Sequence, residues 1–196
     1  MNRRTTVDHL FAIPNILSFL RIILTPVLVY VFMQDLIVLA AVIFTLAAMT
    51  DLLDGYYARR YGVKTRFGAF LDPIADKILI STTLFLFVYN NLVPWVPISM
   101  IVFRDIVVTC LRLKLIYNGT SLVTSDLGKS KTFIQFLTIA CMFTTLFIKQ
   151  FLAPEYYTIV LGCLGVMVWA VALITLYSGI DYVIQYIQAP RKNNKL

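Results

Sequence analysis

Six apolar stretches, each close to the length a helix needs to cross a bilayer, take up most of this chain: 16–33, 36–57, 73–91, 95–117, 131–149 and 156–186. About 20 residues at a rise of about 1.5 Å each match a hydrocarbon core about 30 Å thick. In a chain of 196 residues that leaves room for connections and little else. The expected fold is an all-α integral membrane protein with six transmembrane helices over 13–187, a juxtamembrane arm at 1–12 and a tail at 188–196. The arm gains Leu10 and Phe11 ahead of Pro14, which suits a segment lying on the membrane surface. A cleavable leader fits poorly, because the run after Arg3 and Arg4 is too long and lacks a convincing small-residue cleavage site. With 60% hydrophobic residues and a mean hydropathy of +0.83, the composition lies far outside that of soluble domains.

The formal net charge of +7 raises nucleic acid as a partner. The basic residues argue against it, since they sit in the connections between spans and not on a water-facing surface. Arg3 and Arg4 precede the first span, and Arg59, Arg60, Lys64 and Arg66 lie around the second connection. Lys114, Lys129 and Lys131 flank the fourth, and Arg191, Lys192 and Lys195 follow the last span. The opposite turns, near Gln34, Asn90 and Gln150, carry only Lys149. By the positive-inside rule both termini and these connections face the cytoplasm, at the inner membrane. Cys110, Cys141 and Cys163 are expected as buried small hydrophobes without metal-site spacing. His9 is the one histidine and stands on the N-terminal arm, so a histidine base or a His-rich metal site is not expected. Tyr30, Tyr89, Trp95, Tyr117, Tyr156 and Tyr157 mark span ends, as interfacial aromatic belts do.

Against this apolar background, the segments DLLDGYYAR at 51–59 and GAFLDPIAD at 68–76 place four aspartates in the flanks of spans. A charged side chain costs about 2.5–3.5 kcal/mol at a helix centre on the insertion scale. Asp51, Asp54, Gly55 and Ala58 recur at helical spacing, so carboxylates and small residues share one stripe; Asp72 and Asp76 are four apart on the next helix. The short connection makes the two helices antiparallel neighbours, and the carboxylate pairs then converge at one depth. Four like charges in one place require cations. Oxygen donors of this kind suit one or two Mg²⁺ or Mn²⁺ ions completed by phosphate oxygens. Taken singly, each feature has a plainer reading. Asp72-Pro73 has the form of an N-cap followed by N1, Gly55 and Ala58 suit helix packing, and Asp54 has Arg59 and Arg60 within reach as ion-pair partners.

Asp51-x-x-Asp54-Gly55-x-x-Ala58-Arg59, eight further residues, then Gly68-x-x-x-Asp72-x-x-x-Asp76 resembles the signature of the CDP-alcohol phosphotransferase family at every fixed position, eight residues over 26 positions. IPNILSFLR at 13–21, TRFGAFLDPIADK at 65–77, FRDIVVTCLR at 103–112 and LGKSKT at 127–132 are similar to bacterial members that use glycerol 3-phosphate. The resemblance implies the family fold and a homodimer, with Asp51, Asp54, Asp72 and Asp76 as metal ligands and Asp76 also as general base. It further implies that Gly55, Arg59 and Thr65 contact the cytidine diphosphate of a CDP-diacylglycerol donor, with Asn15 facing the same pocket. The diacyl tail of such a donor would lie among membrane lipid.

The acceptor is read from the remaining basic residues. Arg104 and Arg112 are eight apart, about two turns, and Lys129 and Lys131 open the fifth span. A cluster of this kind holds an acceptor that carries its own phosphate, which favours glycerol 3-phosphate over a neutral alcohol. Arg104 also has Asp105 beside it as an ion-pair partner. Two other activities compete. Sister enzymes make cardiolipin, phosphatidylserine or phosphatidylinositol phosphate, and a divalent-cation transporter would use the aspartates as an ion path. A transporter places such residues at the midplane, often in repeated halves, whereas here they lie toward one face and no repeat is visible.

Overall fold

The computed structural model describes residues 13–61, 66–117 and 126–188, and within them the side chains of 13–15, 51–61, 66, 67, 69, 70, 116, 117, 126–132 and 188 lie outside the description. Among the described residues the protein is all-helical and has no strand. Six helices follow one another: α1 (Ile13–Met33), α2 (Ile37–Tyr61), α3 (Arg66–Tyr89), α4 (Trp95–Tyr117), α5 (Asp126–Ile148) and α6 (Pro154–Gln188). The expected arm at 1–12 with His9, and the tail beyond Gln188, fall outside the described residues.

Every expected span lies within or closely beside a helix, and α4 coincides with 95–117. The starts of α3 and α5 differ. Asp72-Pro73 is not an N-cap followed by N1: α3 begins at Arg66 and carries Pro73 inside it. Proline has no N–H to offer the Ala69 carbonyl, a loss one helix turn absorbs when the rest of the helix is packed. Among the described residues, two stretches suit a bilayer crossing by length and composition, Ile16–Met33 and Pro154–Ile187; the described parts of α2 and α5 include shorter apolar stretches, Ile37–Thr50 and Phe133–Ile148.

Tight turns close one end of the bundle. Asp35 and Asn91 adopt left-handed backbone, with φ of 57° and 54°. After α1, the Leu36 N–H donates to the Val31 carbonyl at 3.3 Å and the Asp35 N–H to Phe32 at 3.1 Å; after α3, Leu92 donates to Phe87 at 3.0 Å and Asn91 to Val88 at 2.9 Å. Both are Schellman closures, and short polar side chains tolerate the conformation where glycine is absent.

α1 packs chiefly on α2 and α3, while α6 packs on α4 and α5; α3 and α2 join the two groups through α4 and α5. The apolar core lies toward the tight-turn end. Phe32, Phe44, Phe87 and Phe143 bring four helices together, with centroids 5.7 Å apart for Phe32–Phe87, 4.9 Å for Phe87–Phe143 and 5.9 Å for Phe44–Phe143. Edge-on contacts of this kind add about 0.5–1.5 kcal/mol each beyond burial. The outward faces are apolar as well: Ile23, Phe103, Phe133, Val166 and Leu173 are all exposed. Cys110 and Cys163 correct an expectation, for both sit on outward faces, and only Cys141 is partly buried. A helix facing lipid has no need to bury a small hydrophobe.

Candidate active site

α3 carries Asp72 and Asp76 one turn apart, both half-buried. A spacing of four puts the two carboxylates on one face. α1 lies against α3, and the fully buried Ser18 donates its hydroxyl hydrogen to Asp72 Oδ1. Three residues further along α1, Arg21 reaches α2. Its Nε donates to the Ala47 carbonyl at 3.3 Å, and Nη2 donates to Thr50 Oγ1 at 3.4 Å. Thr50 immediately precedes Asp51, so α1 bridges the helices bearing the two halves of the aspartate pattern. Arg21 is fully buried and acts electrostatically on Asp72. A buried cation survives only where carbonyls, hydroxyls and opposite charge replace its hydration.

A second polar constellation adjoins the first. Lys77 Nζ lies 3.5 Å from Asp76 Oδ2 and 3.2 Å from Asp105 Oδ2 on α4. Asp105 is 2% exposed. Its Oδ2 also accepts a hydrogen bond from Gln135 Nε2 of α5 at 3.3 Å, and its Oδ1 pairs with Arg104 Nη1 at 3.2 Å. Arg104 Nη2 continues to Ser178 Oγ of α6 at 3.0 Å. Four helices thus share one network, two carboxylates against two cations. Low dielectric makes such a network strong only when its members are satisfied together.

The expected site residues fall into two groups. Asp72 and Asp76 are on one face, as their spacing requires, and Arg104 and Arg112 are two turns apart on α4. Arg104 is largely buried and engaged with Asp105 and Ser178, whereas Arg112 is exposed. Asp51, Asp54, Gly55 and Arg59 are on the last three turns of α2, Asn15 is in the first turn of α1, and Lys129 and Lys131 are near the start of α5. Their side chains, and Thr65 altogether, lie outside the described residues. Sequence reasoning assigned no role to Ser18, Arg21, Lys77 or Gln135, and saw Asp105 only as the ion-pair partner of Arg104, a pair the structure contains. The signal was present for Arg21, Lys77 and Asp105, since an ionisable residue inside an apolar helix marks a functional position by default.

With this geometry in view, comparison with known proteins defines the class. A family model described as CDP-alcohol phosphatidyltransferase matches residues 11–177, and this chain belongs to that family. Among its relatives, the CDP-diacylglycerol--glycerol-3-phosphate 3-phosphatidyltransferase of Salmonella choleraesuis is 36% identical over 188 residues, covering 92% of this chain and 96% of the relative. The protein of the same name from Bacillus subtilis is 30% identical over 200 residues, covering 94% and 100%. A probable phosphatidylglycerophosphate synthase of Mycobacterium tuberculosis is 37% identical over 175 residues, covering 86% and 78%.

Proposed function

We propose that this protein transfers the phosphatidyl group of CDP-diacylglycerol to glycerol 3-phosphate, giving phosphatidylglycerophosphate and CMP. Near full-length similarity to relatives bearing that activity in their names supports the reading. The structural observation that carries it is the α1 bridge: Ser18 on Asp72, and Arg21 on Thr50 next to Asp51, tie both halves of the signature to one end of the bundle.

The donor set is entirely carboxylate oxygen, hard ligands matched to Mg²⁺ or Mn²⁺. Of the described side chains, Asp72 and Asp76 would supply half of it; Asp51 and Asp54 would supply the rest. Metal held there would offset the diphosphate charge and stabilise departing CMP. Arg59, Thr65, Gly55 and Asn15 would bind the cytidine diphosphate and fix its orientation. Asp76 takes the proton of the acceptor hydroxyl, whose oxygen forms a bond to the lipid-bearing phosphorus as the bond from phosphorus to the CMP oxygen breaks. Arg104, Arg112, Lys129 and Lys131 would hold the acceptor's own phosphate, Arg104 while paired with Asp105 and Ser178.

All six helices would cross the inner membrane, with both termini and the carboxylate end cytoplasmic, following the basic connections. The apolar outer faces would meet lipid and a second copy of the chain.

Purified protein given CDP-diacylglycerol, Mg²⁺ and a panel of labelled alcohols is expected to release CMP and to label phosphatidylglycerophosphate. A product made instead from phosphatidylglycerol, serine or inositol phosphate would move the assignment to a sister activity. Asp76→Asn is expected to lower turnover at least about a thousandfold while Mn²⁺ and CDP-diacylglycerol still bind. Asp51→Asn is expected to weaken Mn²⁺ binding itself.

A further inference from the structure

We propose that Asp105 is a positioning residue that acts through Lys77 to orient the Asp76 carboxylate for proton transfer. The inference rests on the reading of Asp76 as the base. Lys77 has two carboxylates to choose between, and the geometry ranks them. Its contact with Asp105 is 3.2 Å and is made to a carboxylate that is 2% exposed, whereas the contact with Asp76 is 3.5 Å and more open to the surroundings. Lys77 is therefore anchored on α4 and reaches out to Asp76.

Asp105 is itself held from two sides. Gln135 of α5 donates to the oxygen that grips Lys77, while Arg104, tied to Ser178 of α6, takes the other oxygen. Turning the carboxylate breaks the Oδ2 bonds to α3 and α5 and the Oδ1 pair with Arg104 of its own helix. The ammonium then fixes the Oδ2 side of Asp76. With Oδ2 facing the ammonium, Oδ1 is the oxygen left to take the acceptor's proton. The network lies behind the reacting groups and positions one of them.

Full-length enzyme carrying Lys77→Met, Asp105→Asn or both should be assayed beside Asp76→Asn, with kcat, KM for each substrate, Mn²⁺ affinity by electron paramagnetic resonance, and unfolding temperature. Each single change is expected to lower kcat about ten- to hundredfold, the range seen when partners behind an active group are removed. KM values and Mn²⁺ affinity should stay within about threefold. The double variant should lose no more than about threefold beyond the worse single one, because both act through one link. If Asp105→Asn does not fold, Lys77→Met and Lys77→Arg decide, the arginine restoring part of kcat. Multiplying losses, wild-type kcat in Lys77→Met, or a change confined to KM for glycerol 3-phosphate would overturn the proposal. Asp76→Asn separates the two readings: retained turnover there removes the base assignment, whereas an inactive Asp76→Asn beside an unaffected Lys77→Met removes only the role of Asp105.

Discussion

Arg21 shows how much one residue can hold in a bundle otherwise built from apolar contacts. It is fully buried, and its guanidinium meets a carbonyl and a hydroxyl of α2 while acting on Asp72 of α3. Its own carbonyl accepts the Thr25 hydroxyl at 2.9 Å, one turn before Pro26 would weaken the ladder. Arg21→Met is expected to destabilise the protein by about 3–5 kcal/mol, the cost of breaking a buried charged arrangement from one side. Ser18→Ala removes one charge-assisted hydrogen bond, worth about 1.5–3 kcal/mol. Thermal unfolding in detergent should rank Arg21→Met below Ser18→Ala, and Ser18→Ala below the parent. Equal unfolding temperatures for all three would mean that α1 does not bridge the carboxylate helices.

At the scale of helices, α6 offers a comparison within a single element. A Cβ on Gly179 would stand 2.6 Å from Arg104 Cγ and 3.0 Å from Nε, while one on Gly162 or Gly165 would meet nothing within 4 Å. The conflict at Gly179 is with the root of the arginine side chain, so Arg104 must swing away from Ser178 and Asp105. Gly179→Ala is expected to cost about 1–3 kcal/mol as an overpacking change. Gly162→Ala and Gly165→Ala should each gain about 0.5–1 kcal/mol from the lower helix cost of alanine. Unfolding temperatures moving in opposite directions would establish the contact; a shared direction would contradict it. Sequence periodicity reaches helices well and contacts between them poorly. The apolar windows found α4 to the residue, yet missed the first turns of α3, where Asp72-Pro73 has the form of a helix start although Phe67, Phe70 and Leu71 precede it, and of α5, where DLGKS carries little apolar signal. In the same way Asp72 and Asp76 were legible because their spacing is local. Lys77 and Asp105 are 28 residues apart, and Arg104 and Ser178 74 apart, so only packing brings them together.

Across the whole molecule the two ends differ in chemistry. Tight Schellman turns and the cluster of Phe32, Phe44, Phe87 and Phe143 occupy one end, and carboxylates with the cations around them occupy the other. The connections at the polar end also carry the chain's excess of lysine and arginine, which crosses a membrane reluctantly during insertion. Under the proposed function a charged donor headgroup would have its site where the enzyme's own charges are, and its acyl chains would have apolar helix faces beside it. This polarity predicts a side. In sealed inside-out vesicles, trypsin added outside should cut after Arg191 or Lys192, and EDTA should stop CMP release until Mg²⁺ or Mn²⁺ is restored in excess. In right-side-out vesicles the tail should stay intact, and externally added glycerol 3-phosphate should yield no lipid product. Cleavage with the opposite sidedness would place the carboxylates at the outer leaflet, away from the cytoplasmic nucleotide pool, and would break the link between charge distribution and substrate supply.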